Sequence, residues 1–362
     1  MKLTTTTSTL QNMVAKAMKG ASCNKMIPLT SLMAIQLKNH TLTLITTDAT
    51  NYLYVKADKV DGEDFYVVIQ AEVFSKLISR LTCENVTLEL KDNCLNVKGN
   101  GNYSIELPLN EEGELITYPD PLAKAENLTQ LEDVNLSTIR LILATAKASL
   151  AETNEVPCYT GYYVGQSVVS TDTYKICGIS VKLLDEPALI SPELMGLLDL
   201  FSDEKISVFR KGNTLVFKTA GCEVYGKTMD SIADYQIDVI SGLLNQKFAS
   251  SCKVSKDALL QLLDRLSLFV SAYDKNGIYL TFTRDGLQIE SKQANSVEVL
   301  PYAESVNFKD FTCCIDIEML RSQVKANTCS AVEIQYGEDN AIKMTDGSVT
   351  QIVALSEDDR AA

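Results

Sequence analysis

The chain's 362 residues would by length make two or three globular domains, and a hydrophobic fraction of 46% gives each enough apolar side chains for a core. No apolar run approaches the roughly 18 residues of a membrane span, and the opening Met1-Lys2-Leu3-Thr4-Thr5-Thr6-Thr7 lacks an apolar signal core, so a cytoplasmic protein is expected. The net charge of −14 argues against a surface that attracts nucleic acid everywhere, which leaves the distribution of charge to decide.

Three stretches share one plan. In the first, a helix is predicted over Ser8–Met18, followed by a hairpin of Ile35–Leu37 and Leu42–Ile45 turning at Lys38-Asn39-His40. A second helix over Ala71–Arg80 precedes strands Glu84–Leu90 and Cys94–Lys98. The plan returns with a helix over Ser137–Ala146, a helix from Ser191 and strands Glu204–Phe209 and Thr214–Lys218. It returns again with a helix over Ser255–Arg265, a hairpin of Ile278–Phe282 and Leu287–Ile289, a helix over Asp316–Val324 and strands Ala331–Ile334 and Ala341–Met344. A serine at or near the start of each opening helix is the expected cap, and Leu259, Leu260, Leu262, Leu263 and Leu266 mark a wide buried stripe.

The period of about 120 residues is that of a whole small domain. Tyr118-Pro119-Asp120-Pro121 breaks the chain once, and a weakly periodic stretch from Ser241-Gly242 to about Ser251 breaks it again. The expected domains are 1–120, 124–243 and 247–356, followed by an acidic tail, 357–362. The expected fold class is α+β, each domain carrying two helices on antiparallel sheets. Unpaired sheet edges are a hazard, so successive copies are expected to pair edge to edge in a curved or closed assembly.

Catalytic chemistry is missing. His40, the one histidine, falls in a predicted turn, and no nucleophile, metal-ligand or phosphate-loop pattern occurs. Thr47-Asp48 and Thr171-Asp172 could supply an acid/base pair or form turns, and their recurrence with the repeat favours turns. Ten cysteines, none in a C-x-x-C pair, read as reduced thiols; Cys158 and Cys177 have no histidine to activate them. No metal or cofactor is expected.

Bases gather where acids are absent. Residues 1–40 hold no Asp or Glu but carry Lys2, Lys16, Lys19, Lys25 and Lys38, and the segment 136–150 carries only Arg140 and Lys147. Acid concentrates at Glu111, Glu112 and Glu114 and in the tail. Such a pattern fits either a locally basic face on an acidic body or ordinary solvated helix charge.

Ile27-Pro28-Leu29, Thr46-Thr47-Asp48, Tyr118-Pro119, Gly161, Ser170-Thr171-Asp172-Thr173-Tyr174-Lys175-Ile176 and Asp234-Tyr235, in this order and spacing, resemble the bacterial DNA polymerase sliding clamp, the beta subunit of DNA polymerase III, over essentially the whole chain. The resemblance implies a non-catalytic processivity factor of DNA replication. It would be a head-to-tail homodimer whose six domains ring duplex DNA without reading sequence and tether the replicative polymerase. Clamp loader and other proteins bearing clamp-binding motifs would be further partners. The DNA-facing residues implied are Lys16, Lys19, Lys25, Lys76, Arg80, Arg140, Lys147, Arg265, Arg321 and Lys325. The partner-peptide cleft would comprise Tyr159, Thr171, Thr173, Tyr174, Lys175, Ile176 and Ile240 from the second copy. From the third it would take Met319, Ile352, Val353, Ala354 and Leu355. The dimer contact would use Tyr103 and Ile105 against Phe269 and Val270.

Three departures stand out. The cleft sequence Thr173-Tyr174-Lys175-Ile176 and the ending Ala354-Leu355-Ser356 differ from the family pattern, implying an altered peptide preference and either a phage-encoded or a distant bacterial clamp. Helix 191–202 carries Glu193 and Asp199 and no base. That last feature motivates a second reading, a clamp-fold scaffold that binds partners without productively encircling DNA.

Overall fold

The computed structural model describes all residues except 23, 25, 154, 273–275, 293–295, 339 and 358–362. Seven α-helices lie in the described residues: α1 (Thr7–Ala17), α2 (Ala71–Ile78), α3 (Leu136–Thr145), α4 (Pro192–Leu198), α5 (Ile237–Leu244), α6 (Lys256–Leu266) and α7 (Ile317–Ala326). Six are the expected pairs. The seventh, α5, runs into only the first residues of the stretch read as a break, because Ile240, Leu243 and Leu244 find apolar partners that local periodicity does not advertise. Ser255 caps α6 by accepting from the Ala258 amide at 3.4 Å, as expected. At α1 the cap is Thr6, which accepts from the Thr9 amide at 3.2 Å, and not Ser8, which lies inside the helix.

The chain divides into two compact units, residues 1–139 with 193–228, and residues 140–192 with 229–362. The first holds two antiparallel sheets. One is five-stranded, running from Asp61–Gly62 through Lys2–Thr6, Asn85–Lys91 and Cys94–Lys98 to the edge strand Asn102–Glu106. In the other, four strands of the first copy continue into strands of the second through the pairing of Tyr52–Ala57 with Cys222–Lys227. The second unit repeats this arrangement: Lys175–Ile179 pairs with Val349–Ala354 in a nine-stranded sheet, and a separate four-stranded sheet ends at Val297–Leu300. Edge-to-edge pairing of successive copies is thus present within each unit.

Alternation along the strands sets the layers. In the second unit, Ile278, Leu280, Ile289, Ile315, Ile334 and Met344 turn toward α6 and α7, whose Leu259, Leu262, Leu263, Leu266, Leu320 and Val324 complete one core. Leu260 joins that stripe only partly buried.

The repeat reaches individual atoms. Thr46 Oγ1 donates to the Ala17 carbonyl at 2.6 Å, and Ser170 Oγ donates to the Ala146 carbonyl at 2.6 Å, tying a strand to the end of the opening helix in the first two copies. Thr47 Oγ1 donates to Asn51 O at 2.6 Å, while Asp48 Oδ1 accepts from the amides of Thr50 and Asn51. Thr171 Oγ1 likewise donates to Lys175 O at 2.8 Å, and Asp172 Oδ1 accepts from Tyr174 and Lys175. Both Thr-Asp pairs therefore build turns, with Ala49 and Thr173 at φ 84° and 81°. His40 is an exposed turn residue at φ 62°, its Nδ1 3.3 Å from the Val60 carbonyl.

Candidate partner-binding site

Every residue expected in the partner cleft lies in the second compact unit. Its floor is the seam where Ile176 faces Ile352 across the antiparallel ladder. Both are buried, as are Tyr159 and Ile240, and all four belong to one apolar cluster with Cys158, Val169, Leu189, Tyr235 and Ala341. Thr171 is buried and its hydroxyl is spent on the turn. Thr173 and Tyr174 are exposed at the rim, and Tyr174 is 59% accessible. Lys175 leans back, its Nζ donating to the Ala148 carbonyl at 2.7 Å and pairing with Asp172 at 3.2 Å.

Strand alternation separates the remaining residues. Ile352 faces the cluster just described, whereas Val353 packs with the helix-side core, and Leu355 and Met319 pack against that same core. The structure therefore does not bring Val353, Leu355 and Met319 to the seam that Ile176 and Ile352 form. Ala354 is partly exposed, and its amide donates to the Tyr174 carbonyl at 2.8 Å.

Sequence reasoning left two of the site's shaping residues out of the site. Tyr235 stands at 5.2 Å from both Tyr159, edge-on, and Tyr163, and its hydroxyl donates to the Val169 carbonyl at 3.2 Å. Burial pushes its phenol, and those of Tyr159 and Tyr163, above the ordinary tyrosine value. Leu244 of α5 fills the space over Gly178, where an added Cβ would stand 2.6 Å from a Leu244 methyl. A glycine inside a strand signals such close approach, and that was the available clue. Burial raises the Cys158 thiol and pushes Cys177 up to about 12, which disfavours the thiolate in both.

The expected DNA-facing bases differ in how free their charge is. Lys76 pairs with Glu72, Arg265 forms a two-pronged contact with Glu298 at 2.5 and 2.9 Å, and Arg321 meets Asp264 at 2.6 Å and Glu318 at 3.1 Å. Lys16 donates to Ser202 Oγ at 2.8 Å. Lys19, Arg80, Lys147 and Lys325 are exposed and form no ion pair among the described residues. Arg140 is exposed, and Lys25 lies outside the described residues. On α4 the exposed positions are Glu193 and Gly196, with Asp199 just beyond its end, so this short helix presents acid and no base.

Of the residues expected at the dimer contact, Tyr103 is 39% exposed on the edge strand Asn102–Glu106, whereas Ile105 on that strand is buried. Phe269 is 47% exposed in a short 3-10 turn after α6, beside Leu268 at 79%, while Val270 packs partly buried against the core.

With the sheets, seams and edges in hand, comparison with known proteins decides the fold. Residues 1–119 match the family described as DNA polymerase III beta subunit, N-terminal domain. The whole chain superposes on the beta subunit from DNA polymerase of Streptococcus pyogenes with a TM-score of 0.86, covering 99% of this chain and 100% of that one at 14% identity. This chain has the sliding-clamp fold. The DNA polymerase sliding clamp from Bacillus subtilis gives a TM-score of 0.84, with 99% of each chain covered at 16% identity. The beta subunit from Thermotoga maritima gives 0.81, covering 98% of this chain and 99% of that one at 15% identity. No curated protein matches the chain by sequence.

Proposed function

We propose that this protein is a sliding clamp of DNA replication. Two chains close head to tail around duplex DNA, hold the replicative polymerase on its template and catalyse nothing themselves. The full-length clamp fold favours this over a scaffold that never encircles DNA. The observation that carries it is the repeated seam.

At the first seam Tyr54 stands opposite Glu223, and at the second the equivalent Gly178 stands opposite Thr350. Among the described residues two strands lack this pairing, Asn102–Glu106 and Val297–Leu300, each at the edge of its sheet. They are the equivalents of the strands that pair at the other two seams. The first copy's ladder Ile35–Leu44–Val55 corresponds to Leu280–Ile289–Glu298 in the third. Carrying the seam register over, Val297 of one chain falls opposite Asn102 of the other. Val297 and Val299, exposed on an otherwise open edge, are the apolar strand face that such a partner covers.

DNA would be held by phosphate contacts from unpaired bases such as Lys19, Arg80, Lys147 and Lys325, weak singly and indifferent to sequence, so that a ring can slide. Partner peptides from the polymerase, the clamp loader and related proteins would lie along the Ile176–Ile352 seam against Tyr174 and the half-buried Tyr163, Met229 and Leu243. Primer extension on a circular primed template tests the function: added protein should lengthen the products of a loaded cognate polymerase, and unchanged product length would refute the clamp reading.

A further inference from the structure

Below the C-terminal end of α5 the outer face of the nine-stranded sheet opens into a cavity of about 490 Å³. It is walled by the segment 244–251, by Val306 and Asn307, and by Gln335, Lys343 and Thr350 of the sheet. On a chain of net charge −14, this lining contains Lys247 and Lys343 and, among the described residues, no Asp or Glu. Amide and hydroxyl groups from Asn245, Gln246, Asn307, Gln335, Ser251 and Thr350 supply the rest of its polarity.

Lys343 is its centre. Its Nζ donates to the carbonyls of Leu244 at 2.8 Å and Gln246 at 3.1 Å, using two of three ammonium hydrogens. No carboxylate pairs with it among the described residues, so a partly buried positive charge stands uncompensated. Burial also pulls its pKa below the ordinary lysine value, the cost that a nearby anion would relieve. Lys247 is exposed at the mouth, and Phe248 offers a half-buried ring.

The cavity adjoins the proposed partner seam. Lys343 faces Ile352 directly across the strand ladder, and Leu244 borders both the cavity and the seam cluster. We propose that the cavity receives an acidic peptide segment flanking the apolar side chains that occupy the Ile176–Ile352 seam, with Lys343 and Lys247 pairing its carboxylates. This rests on the partner-cleft reading and adds to it a charge requirement on the partner: a peptide with carboxylates beside its apolar anchors.

Fluorescence anisotropy at low salt with three labelled probes tests it on the full chain: an apolar Leu-Leu-Phe peptide with a Gln-Gln-Gln flank, the same peptide with a Glu-Glu-Glu flank, and hexaglutamate. The glutamate flank should tighten binding about tenfold, a gain worth about 1.4 kcal/mol, and salt should erase it. Lys343→Gln should lose the gain. Lys247→Glu, which alters an exposed side chain and leaves the α5 contacts untouched, should lose most of it in a folded protein. Equal binding of both flanked peptides would overturn the cavity proposal and leave the seam standing. Binding of hexaglutamate without either flanked peptide would refute the seam and overturn the proposal with it, leaving an anion site alone. No binding by any probe would overturn both. Displacement of hexaglutamate by a short DNA duplex would reassign the cavity to nucleic acid and overturn the peptide proposal.

Discussion

Ile176 and Ile352 stand directly opposite each other across the pairing of Lys175–Ile179 with Val349–Ala354, and both are buried. One side chain comes from the second copy and one from the third, so the candidate cleft exists only because two copies share a sheet. The same burial makes Ile176 a poor probe of binding. Ile176→Ala should destabilise the fold by about 2–5 kcal/mol through the cavity it leaves. Tyr174→Ala, at an exposed site, should change stability by no more than about 0.5 kcal/mol while weakening the apolar peptide. Urea unfolding alongside peptide anisotropy separates the two, and unchanged peptide affinity in Tyr174→Ala would remove that residue from the cleft.

The seam register predicts a specific cross-link. A chain carrying both Asn102→Cys and Val297→Cys should form a disulfide-linked dimer on mild oxidation, visible on a non-reducing gel. Tyr103→Cys with Val297→Cys sets the two thiols on opposite faces of the strand pair and should cross-link far less. Efficient linkage of the mismatched pair instead would sink the proposed register, and a monomer mass by light scattering at micromolar concentration would oppose a closed ring.

Unpaired bases should matter most for DNA. Replacing Lys19 and Arg80 with Glu should loosen DNA retention and flatten its salt dependence by about 0.9 in log–log slope for each phosphate that is no longer neutralised. Arg321, already neutralised by Asp264 and Glu318, should contribute less. Retention of the double variant equal to the parent at low salt would mean that these two residues do not face DNA.

The Arg265–Glu298 contact has a definite pH signature. Arg265 holds the Glu298 carboxyl below the ordinary glutamate range, chiefly by hydrogen bonding. A carboxylate with a lowered folded-state pKa stabilises the fold above its unfolded value, about 4.3, and loses that contribution as pH falls through the lower folded value. Urea midpoints measured from neutral to acid pH should fall less steeply below about pH 4.3 in Arg265→Gln than in the parent. Parallel curves would show that the pair adds nothing.

Thr173 holds a β-branched side chain at φ 81°, a conformation that costs most residues energy and glycine little. Thr173→Gly should therefore raise stability by about 1 kcal/mol, read as a higher thermal midpoint; a lower one would mean that the Thr173 side chain makes a contact worth more than the strain.

Much of this was legible in the sequence. Asp316 and Ser255 announce helix starts, the three helix–strand–strand stretches announce the copies, and the recurring Thr-Asp pairs announce turns, because each is written in local hydrogen bonding or local periodicity. What stayed hidden is non-local. Nothing near Val353 reveals that it turns away from Ile352's partners until the strand has neighbours on both faces. The helix α5 is a weak local helix former, with Ile237, Val239, Ile240 and Gly242 in eight residues, and it folds where Gly178 leaves room for Leu244. Lys343 was invisible for the same reason: its partners are carbonyls nearly a hundred residues upstream.

The two compact units do not coincide with the three copies, for the boundary crosses the middle one after residues 139, 192 and 228. Sequence repeat and compact unit are thus different objects in this chain. A fragment cut at the copy boundaries would sever strands from the sheets that shelter them, whereas native-state hydrogen exchange should reveal protection levels that change within the middle copy. The shared sheets make the copies mutually dependent, so a middle domain expressed alone should not reach a protease-resistant state.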